Sequence, residues 1–301
     1  MLSPVHPAPK KAKRMLPDQL VPDFELKQAL HPEQPDFEYF PSLMNSNEIQ
    51  SIQAYASKSL GNDPSSKHFI SRTKSIAFVL LDGDNIYPLE RNYFVQNSSY
   101  NDFSGGLRRY YSTINDQLLQ CSLKRSILHF AKYWRVPNRS IMLVQLQRST
   151  IDPAEPNGHD AKKSYVEGQN DVTGQGIHTD GSDRAMILCC ERDNVKGAEN
   201  SFHGSLSGDS PLCEPRALAA GDALLFKDNA IFHHVSDAFP VDPSKGMHRT
   251  MLLIHYPGEI YLDGAANPAN RLPTRPAAIV LRAQQQELEP ALGGGLDAPR
   301  R

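Results

Sequence analysis

The sequence predicts a mostly β fold, a sandwich or a barrel, with helices at its flank. Beyond residue 140 the chain consists of short β-type segments separated by turn residues, and several short strands in series are typical of these architectures. Two amphipathic helical patterns precede them. The 301 residues are 39% hydrophobic, which is enough to form a substantial core.

The first helical pattern begins at Asn45, which has the features of an N-cap because Glu48 follows three residues later. The pattern ends at Gly61, a residue type that favours helix C-termini. Its apolar face consists of Ile49, Ile52, Ala56 and Leu60. A second, longer helix is predicted over 113–135, before Pro137. Its apolar stripe, which we expect to pack in the core, consists of Ile114, Leu118, Cys121, Ile127, Phe130, Ala131 and Trp134.

The β-type segments follow one another along the chain, with one long interruption. The predicted strands are 76–81, 141–147, 176–180, 185–190, 223–226, 231–235 and 250–256. The interruption, the polar segment 149–175, is far longer than a hairpin needs, and loops of this kind are either disordered or functional. We expect it to shape a substrate pocket.

The two ends of the chain are predicted to lie outside the core. Residues 1–14 are rich in proline and lysine and are expected to form a disordered arm. Residues 15–290 are expected to form a single domain, with a β core at about 140–258 and a C-terminal helix at about 276–288. The glycine-containing tail 291–301 is expected to be flexible.

Bulk composition excludes several classes of function. Lys and Arg total 32 against 34 Asp and Glu, so the chain has no overall basic surface for nucleic acid. No apolar stretch approaches the roughly 20 residues that span a bilayer. The cysteines lack C-x-x-C spacing, which favours a reducing compartment, and we expect a cytoplasmic location.

A histidine and carboxylate pattern carries the chemistry. His178 and Asp180 are two residues apart, and on a strand such residues lie on the same face, where both can reach one metal ion. The H-x-D pattern alone is a weak signal. His233 and His234 supply a third ligand, but neighbours on a strand point to opposite faces, so only one of them can enter the site. His203 is a spare candidate.

Two imidazoles and one carboxylate form the facial triad that is typical of non-heme Fe(II) oxygenases, which leaves positions open for a cosubstrate and dioxygen. Arg249 opens the last apolar strand, and a buried arginine needs an anion. The distal carboxylate of 2-oxoglutarate would satisfy it. An isolated arginine at the end of a strand would more commonly pair with a surface carboxylate.

Together these features resemble the Fe(II)/2-oxoglutarate-dependent dioxygenases, and within that family the bacterial hydroxylases of free or N-substituted amino acids. The resemblance covers about residues 70–258, and the order and spacing of its motifs are more specific than any one motif. The matching segments are Gly176-Ile177-His178-Thr179-Asp180-Gly181, Asn194-Val195-Lys196-Gly197-Ala198-Glu199, Ala220-Gly221-Asp222, His233-His234-Val235, Arg249, and upstream Tyr100-Asn101 with Gly105-Gly106-Leu107-Arg108-Arg109-Tyr110.

The resemblance implies a double-stranded β-helix, or jelly roll, with the N-terminal helices packed on its outer face. It implies that His178, Asp180 and His233 bind Fe(II) and that Arg249 binds 2-oxoglutarate. It also implies O2 as the oxidant and ascorbate as the reductant. Many relatives follow this arginine with x-Ser, whereas Thr250-Met251 stand here, which leaves the second hydrogen bond to the carboxylate open. Halogenating relatives carry a small residue at the position of Asp180, so hydroxylation is favoured.

The predicted reaction is the hydroxylation of an unactivated C–H bond of a small amino acid or derivative, coupled to decarboxylation of 2-oxoglutarate to succinate. Desaturation or cyclisation could use the same iron site, and a zinc hydrolase or a non-catalytic binding module are alternatives of other classes. The partner is a small molecule, with a carrier protein or a second copy of the chain as further candidates. The candidate substrate-binding residues, each of which could equally be a surface group, are Arg108, Arg109, Gln145 and Lys227.

Overall fold

The computed structural model describes residues 34–64, 71–101, 105–153, 176–209 and 211–262. The predicted arm at 1–14, the C-terminal helix at 276–288, the tail at 291–301 and most of the segment 149–175 lie outside these residues.

Most of the regular structure in the described residues is β. The strands are β1 (Phe37–Phe40), β2 (Gly61–Asn62), β3 (Ser71–Asp82), β4 (Asn85–Leu89), β5 (Tyr93–Phe94), β6 (Arg109–Tyr110), β7 (Ser112–Thr113), β8 (Ile141–Ile151), β9 (Arg184–Asp193), β10 (Val195–Gly197), β11 (Asn200–His203), β12 (Ala223–Phe226), β13 (Phe232–Val235), β14 (Ala238–Pro240) and β15 (Met247–Tyr256). The prediction of a mostly β fold with flanking helices is confirmed.

Within the described ranges, nine strands form one large sheet. Its main path runs in the order β1-β12-β9-β15-β8-β3-β2, and β4 and β7 both pair with β3. The smaller pairs are β5 with β6, β10 with β14 and β11 with β13. Phe202 of β11 packs against Cys189 of β9, Phe226 of β12 and Met251 of β15, so the β11–β13 pair covers one face of the large sheet. We call this covered face the inner face.

Helices cover the opposite, outer face of the large sheet. They are α1 (Ser46–Ser59), α2 (Asp116–Leu118), a π-helical turn (Leu119–Leu123) and α3 (Lys124–Tyr133). Ile52 of α1 and Phe130 of α3 are completely buried in one cluster with Val144 of β8 and Leu252 of β15. Alternation along each strand therefore sends one set of side chains to this core and the other set to the inner face.

The first helix forms as its capping signal predicts. The Asn45 side chain accepts from the Glu48 backbone N–H at 3.0 Å, and the Asn45 backbone N–H donates to the Glu48 carboxylate at 3.0 Å. This reciprocal pair satisfies two donors that the helix itself leaves unbonded.

The second predicted helix contains a π turn that the spacing did not reveal. The turn at Leu119–Leu123 adds one residue to the helical repeat and so shifts the apolar stripe. Leu119 and Leu123 are completely buried, whereas Cys121, which the spacing placed in the stripe, is exposed. The assignment of Cys121 to the core was wrong for this reason.

The predicted strand at 176–180 is also wrong. Only an isolated bridge joins His178 to His233 there. Gly176 and Gly181 have φ values of 62° and 85°, which are incompatible with a regular strand. The other predicted strands are present, and that at 250–256 begins earlier, at Met247, so Arg249 lies inside β15.

Among the described residues, none of the helices has the length and apolar composition that crossing a membrane requires. The four cysteines are free thiols.

Replacing Asn45 with Ala is expected to lower the free energy of unfolding by about 1 kcal/mol, because the helix loses its side-chain cap. Gln50→Ala, an exposed change within the same helix, is the control and is expected to have little effect. Urea denaturation followed by circular dichroism measures both. Equal stabilities of the two variants would contradict the role of the cap.

Candidate metal centre

Three predicted ligand side chains meet between the large sheet and β13. The His178 Nε2 atom lies 3.9 Å from Asp180 Oδ1, and His233 Nε2 lies 3.6 Å from Asp180 Oδ2. One ligand atom from each of the three residues lies within 4.8 Å of the others. The backbones of His178 and His233 exchange two hydrogen bonds, of 3.0 and 2.8 Å, which brings the two imidazoles together. The donor set, two imidazoles and one carboxylate, fits Fe(II).

Both imidazoles present their Nε2 atoms to the common centre. His178 Nδ1 lies 2.9 Å from the Gly176 carbonyl, which can only accept, so this nitrogen carries the proton. His233 Nδ1 lies 3.4 Å from the Asp228 carboxylate. Each Nε2 atom is therefore free to bind a metal ion. In metal-binding histidines the other ring nitrogen commonly donates to a neighbouring acceptor, which sets the orientation of the ring.

Asp228 holds the loop that carries two of these side chains. Its carboxylate accepts from the backbone N–H groups of Asp180, at 3.1 Å, and of Ser182, at 2.8 Å. The Asp228 carbonyl accepts from the Thr179 hydroxyl at 2.6 Å. Asp228 is 1% exposed, so these bonds form away from water. They replace the strand pairing that this segment lacks.

Glycine is required immediately after Asp180. Gly181 has a φ of 85°, and a Cβ atom on it would lie 2.4 Å from the Tyr100 ring. Any other residue would be strained in this conformation and would collide with the ring. The sharp turn that aims the Asp180 carboxylate thus depends on Gly181.

The electrostatics of the centre favour the metal-binding protonation states of Asp180 and His178, whereas they favour protonation of His233. Burial raises the pKa of Asp180, but His255, His178 and His233 together hold it well below its usual range. Burial lowers the pKa of His178, and the nearby His233 adds to the effect. Burial also opposes protonation of His233, yet the carboxylates of Asp228 and Asp180 raise its pKa overall. Asp180 is therefore ionised and His178 neutral at neutral pH.

His255 also belongs to the surroundings of this centre. It is 2% exposed, and its Nδ1 atom lies 3.9 Å from Asp180 Oδ2. His234 lies on the other face of β13 and is partly exposed, in agreement with the expectation that only one of the two neighbours enters the site. His203 bonds to Ser201 at 2.9 Å and is not part of the cluster.

Arg249 is a buried cation without a counter-ion among the described residues. It is 4% exposed and lies on the same face of β15 as His255, six residues away. No described carboxylate lies within ion-pair distance of its guanidinium. Burial lowers the pKa of Arg249 to about 10, with Arg192 adding to the shift and Cys189 opposing it, so the group stays charged at neutral pH. The site can therefore take an anion here.

The four candidate substrate residues separate into two groups. Arg109 and Gln145 are 8% and 6% exposed, and Gln145 lies opposite Leu253 on the inner face. Arg108 is exposed, 5.2 Å from the Tyr93 ring, and Lys227 pairs with Asp36 at 2.9 Å. The structure thus brings Arg109 and Gln145 to the interior and leaves the other two outside it.

Gln96 connects Arg109 to the candidate ligand Asp180, and no motif in the sequence predicted this role. Its amide nitrogen donates to the Asp180 side chain and carbonyl, both at 3.2 Å. Its amide oxygen accepts from Arg109 at 3.0 Å and from Asn101 at 2.9 Å. Gln96 lies 84 residues and Asp228 lies 48 residues from Asp180 along the chain, and neither belongs to a local motif.

Comparisons with known proteins identify a matching family and similar folds. A family model described as 2OG-Fe dioxygenase matches residues 54–255. A BsmA homologue from Methylobium petroleophilum has a similar structure, with a TM-score of 0.53 and 18% identity over 69% of this chain and 80% of that one. IDO from Bacillus thuringiensis has a TM-score of 0.53 and 15% identity over 73% and 92% of the two chains. At this level of identity the two proteins are similar to this chain in fold alone, which agrees with the predicted jelly roll. A search of curated proteins finds no match.

Replacing Asp228 with Asn is expected to weaken Fe(II) binding about 10- to 100-fold, because His233 and the Asp180 loop lose the carboxylate that orients them. Asp84→Asn, a change at an exposed residue that pairs with Lys132, is the matched control. Anaerobic Fe(II) titration measures the affinities, and far-ultraviolet circular dichroism checks that both variants fold. Wild-type affinity in a folded Asp228→Asn protein would show that this carboxylate does not position the ligands.

Proposed function

The chain belongs to the 2OG-Fe dioxygenase family, and on this premise we propose that it hydroxylates an unactivated C–H bond of a small amino acid or amino-acid derivative. The protein is a non-heme dioxygenase whose family uses Fe(II), 2-oxoglutarate and O2. In the proposed reaction the substrate, O2 and 2-oxoglutarate give the hydroxylated product, succinate and carbon dioxide. The observation that carries the proposal is the joint presence of the His178, Asp180 and His233 cluster and of Arg249, which has no carboxylate partner in the part of the chain that the structure describes.

In this proposal His178, Asp180 and His233 hold the iron. Three protein ligands leave positions open, and when bound there the iron supplies the activation of O2 that organic side chains cannot provide. Asp228 and the Gly176 carbonyl fix the two imidazoles, so the protein needs little rearrangement to receive the ion.

Arg249 is the proposed partner of the distal carboxylate of 2-oxoglutarate. Position 251, two residues further on the same face, is methionine and cannot donate the hydrogen bond that a serine supplies in many relatives. Ser149 lies directly opposite Arg249 on β8 and is 1% exposed, and its hydroxyl is the proposed substitute. A zinc hydrolase that used the same three ligands would have no use for a buried, unpaired arginine, which favours the dioxygenase.

Arg109 and Gln145 are the proposed contacts of the substrate, because they are buried and near the centre, and Arg108 and Lys227 are weaker candidates. Asp180 occupies the position that a halide would need, which supports hydroxylation, whereas desaturation and cyclisation would use the same residues.

A cytoplasmic location and partnership with a carrier protein or a second copy remain predictions from sequence, and ascorbate remains the expected reductant.

Replacing His233 with Ala is expected to abolish stoichiometric Fe(II) binding and succinate formation, because one of three ligands is lost. His234→Ala, a change at the next residue on the opposite face of β13, is the control and should keep both. Metal analysis after anaerobic loading and a succinate assay measure the outcome. Loss of iron only in His234→Ala would overturn the ligand assignment.

Replacing Arg249 with Met is expected to weaken 2-oxoglutarate binding by about 10- to 100-fold, the range for a charge-assisted hydrogen bond to a buried partner, with Fe(II) binding unchanged. Arg125→Met, a change on the outer helix, is the control. Calorimetric titration of the anaerobic Fe(II) protein with 2-oxoglutarate measures both. An unchanged affinity in Arg249→Met would exclude this residue from the cosubstrate site.

A further inference from the structure

A second buried cation, Lys74, lies beside the metal centre and has no role in the function proposed so far. It lies on the inner face of β3, two residues from Ile76, and is 8% exposed. Its ammonium is 5.2 Å from the ring centroids of both Phe94 and Tyr111. No described residue accepts a hydrogen bond from it or places a carboxylate within ion-pair distance.

The charges around Lys74 do not offset the free-energy cost of burying its ammonium group. Desolvation, aided by Arg72 and Arg109, lowers the pKa of Lys74 to about 7, and the carboxylates of Asp63 and Asp180 only partly oppose this. The Asp63 carboxylate is already paired with Arg72 at 2.7 Å. An isolated ammonium in such a place is costly, and a bound anion would remove most of the cost.

Arg109 provides a second cation at the same place. It is 8% exposed, and its guanidinium lies 4.4 Å from the Phe94 ring centroid, so the ring of Phe94 contacts both cations. Arg109 donates to the Gln96 amide oxygen at 3.0 Å, while its Nε atom is buried without a partner. Lys74 and Arg109 thus contact the same ring, and neither has a carboxylate within ion-pair distance among the described residues. Two such cations form a site for an anion.

The position of this pair indicates which anion it takes. Gln96 links Arg109 to Asp180, so the pair is one side chain away from a candidate iron ligand. The cosubstrate arginine lies on β15, and β8 separates that strand from Lys74 on β3. Gln145, on the inner face of β8 opposite Ile76, adds a buried amide oxygen that has no donor among the described residues and that would accept from the N–H group of an amino-acid substrate rather than from its carboxylate. This arrangement provides for a second organic anion next to the cosubstrate.

We propose that Lys74 and Arg109 form an anion subsite that binds the free carboxylate of the substrate. The inference rests on the proposed function and narrows its substrate class to free or N-acylated amino acids. A substrate tethered to a carrier protein as a thioester has no free carboxylate, so the subsite selects against it.

The test compares carboxylates with their amides. The protein, loaded with Fe(II) and 2-oxoglutarate without oxygen so that turnover cannot occur, is titrated calorimetrically with the free amino acids, their N-acetyl derivatives and the matching amides. At least one acid is expected to bind about 10- to 100-fold more tightly than its amide. Equal affinities of every acid and its amide, or no binding of any acid, would overturn the proposal.

Two variants assign the effect to the subsite. Lys74→Met and Arg109→Gln are each expected to lower the affinity for that acid about 10-fold or more, toward that of the amide, and to leave amide binding unchanged. Lys132→Met, on the outer helix, is the control. Removal of an unpaired buried charge is not expected to lower thermal stability, so the Lys74 variant remains folded. Unchanged affinity for the acid in Lys74→Met would overturn the proposal.

Acid binding by the wild type is also expected to weaken above pH 7, by up to about 10-fold per pH unit, because the acid binds the protonated ammonium. Lys74→Met should lose this dependence. If Lys74→Met weakens binding of 2-oxoglutarate itself and spares that of the acid, the subsite belongs to the cosubstrate and the proposal fails. Absence of succinate formation by the wild type with Fe(II) and O2 would instead contradict the proposed function and leave the anion subsite intact.

Discussion

The partly buried carboxylate of Asp180 is the charge on which the rest of the site depends. A carboxylate removed from water needs compensation from nearby cations or hydrogen-bond donors. Here three imidazoles, of His178, His233 and His255, lie within 4 Å of it, and Gln96 donates to it. A divalent cation between these groups would complete the compensation, which explains why the fold keeps a negative charge at this position.

The outer face of the large sheet packs in the hydrophobic core beneath the helices, and the inner face carries the polar residues of the site. On β15, Leu252 and Ile254 point into the core beneath the helices, while Arg249 and His255 point to the inner face. On β3, Val79 packs outward and Lys74 lies inward. Because strand alternation keeps these sets apart, the helices can pack tightly on one face without restricting the polar residues on the other.

Much of the fold and part of the site could be predicted from sequence. Periodicity and clear end signals revealed α1, and a short continuous apolar run after Gly221-Asp222 revealed the strand Ala223–Phe226. The three candidate ligands were predicted as a set, and the structure brings them together. The π turn was not predictable, because the shift of its apolar stripe depends on packing against the sheet rather than on local spacing.

The residues that support the centre were missed for a related reason. Asp228, Gln96 and Lys74 have no motif of their own, and their importance comes from tertiary contacts; Gln96 is 84 residues from Asp180 along the chain. The loop at 176–180 looked like a strand because its composition is strand-like, yet two glycines with positive φ and the bonds to Asp228 hold it in another conformation.

The most direct measurement is a crystal structure of the protein grown without oxygen in the presence of Fe(II) and 2-oxoglutarate, with anomalous data collected at the iron edge. We predict one anomalous peak bound by His178 Nε2, Asp180 and His233 Nε2, with the keto acid on the iron and its distal carboxylate on Arg249. A peak bound by other residues, or 2-oxoglutarate bound away from Arg249, would contradict this prediction.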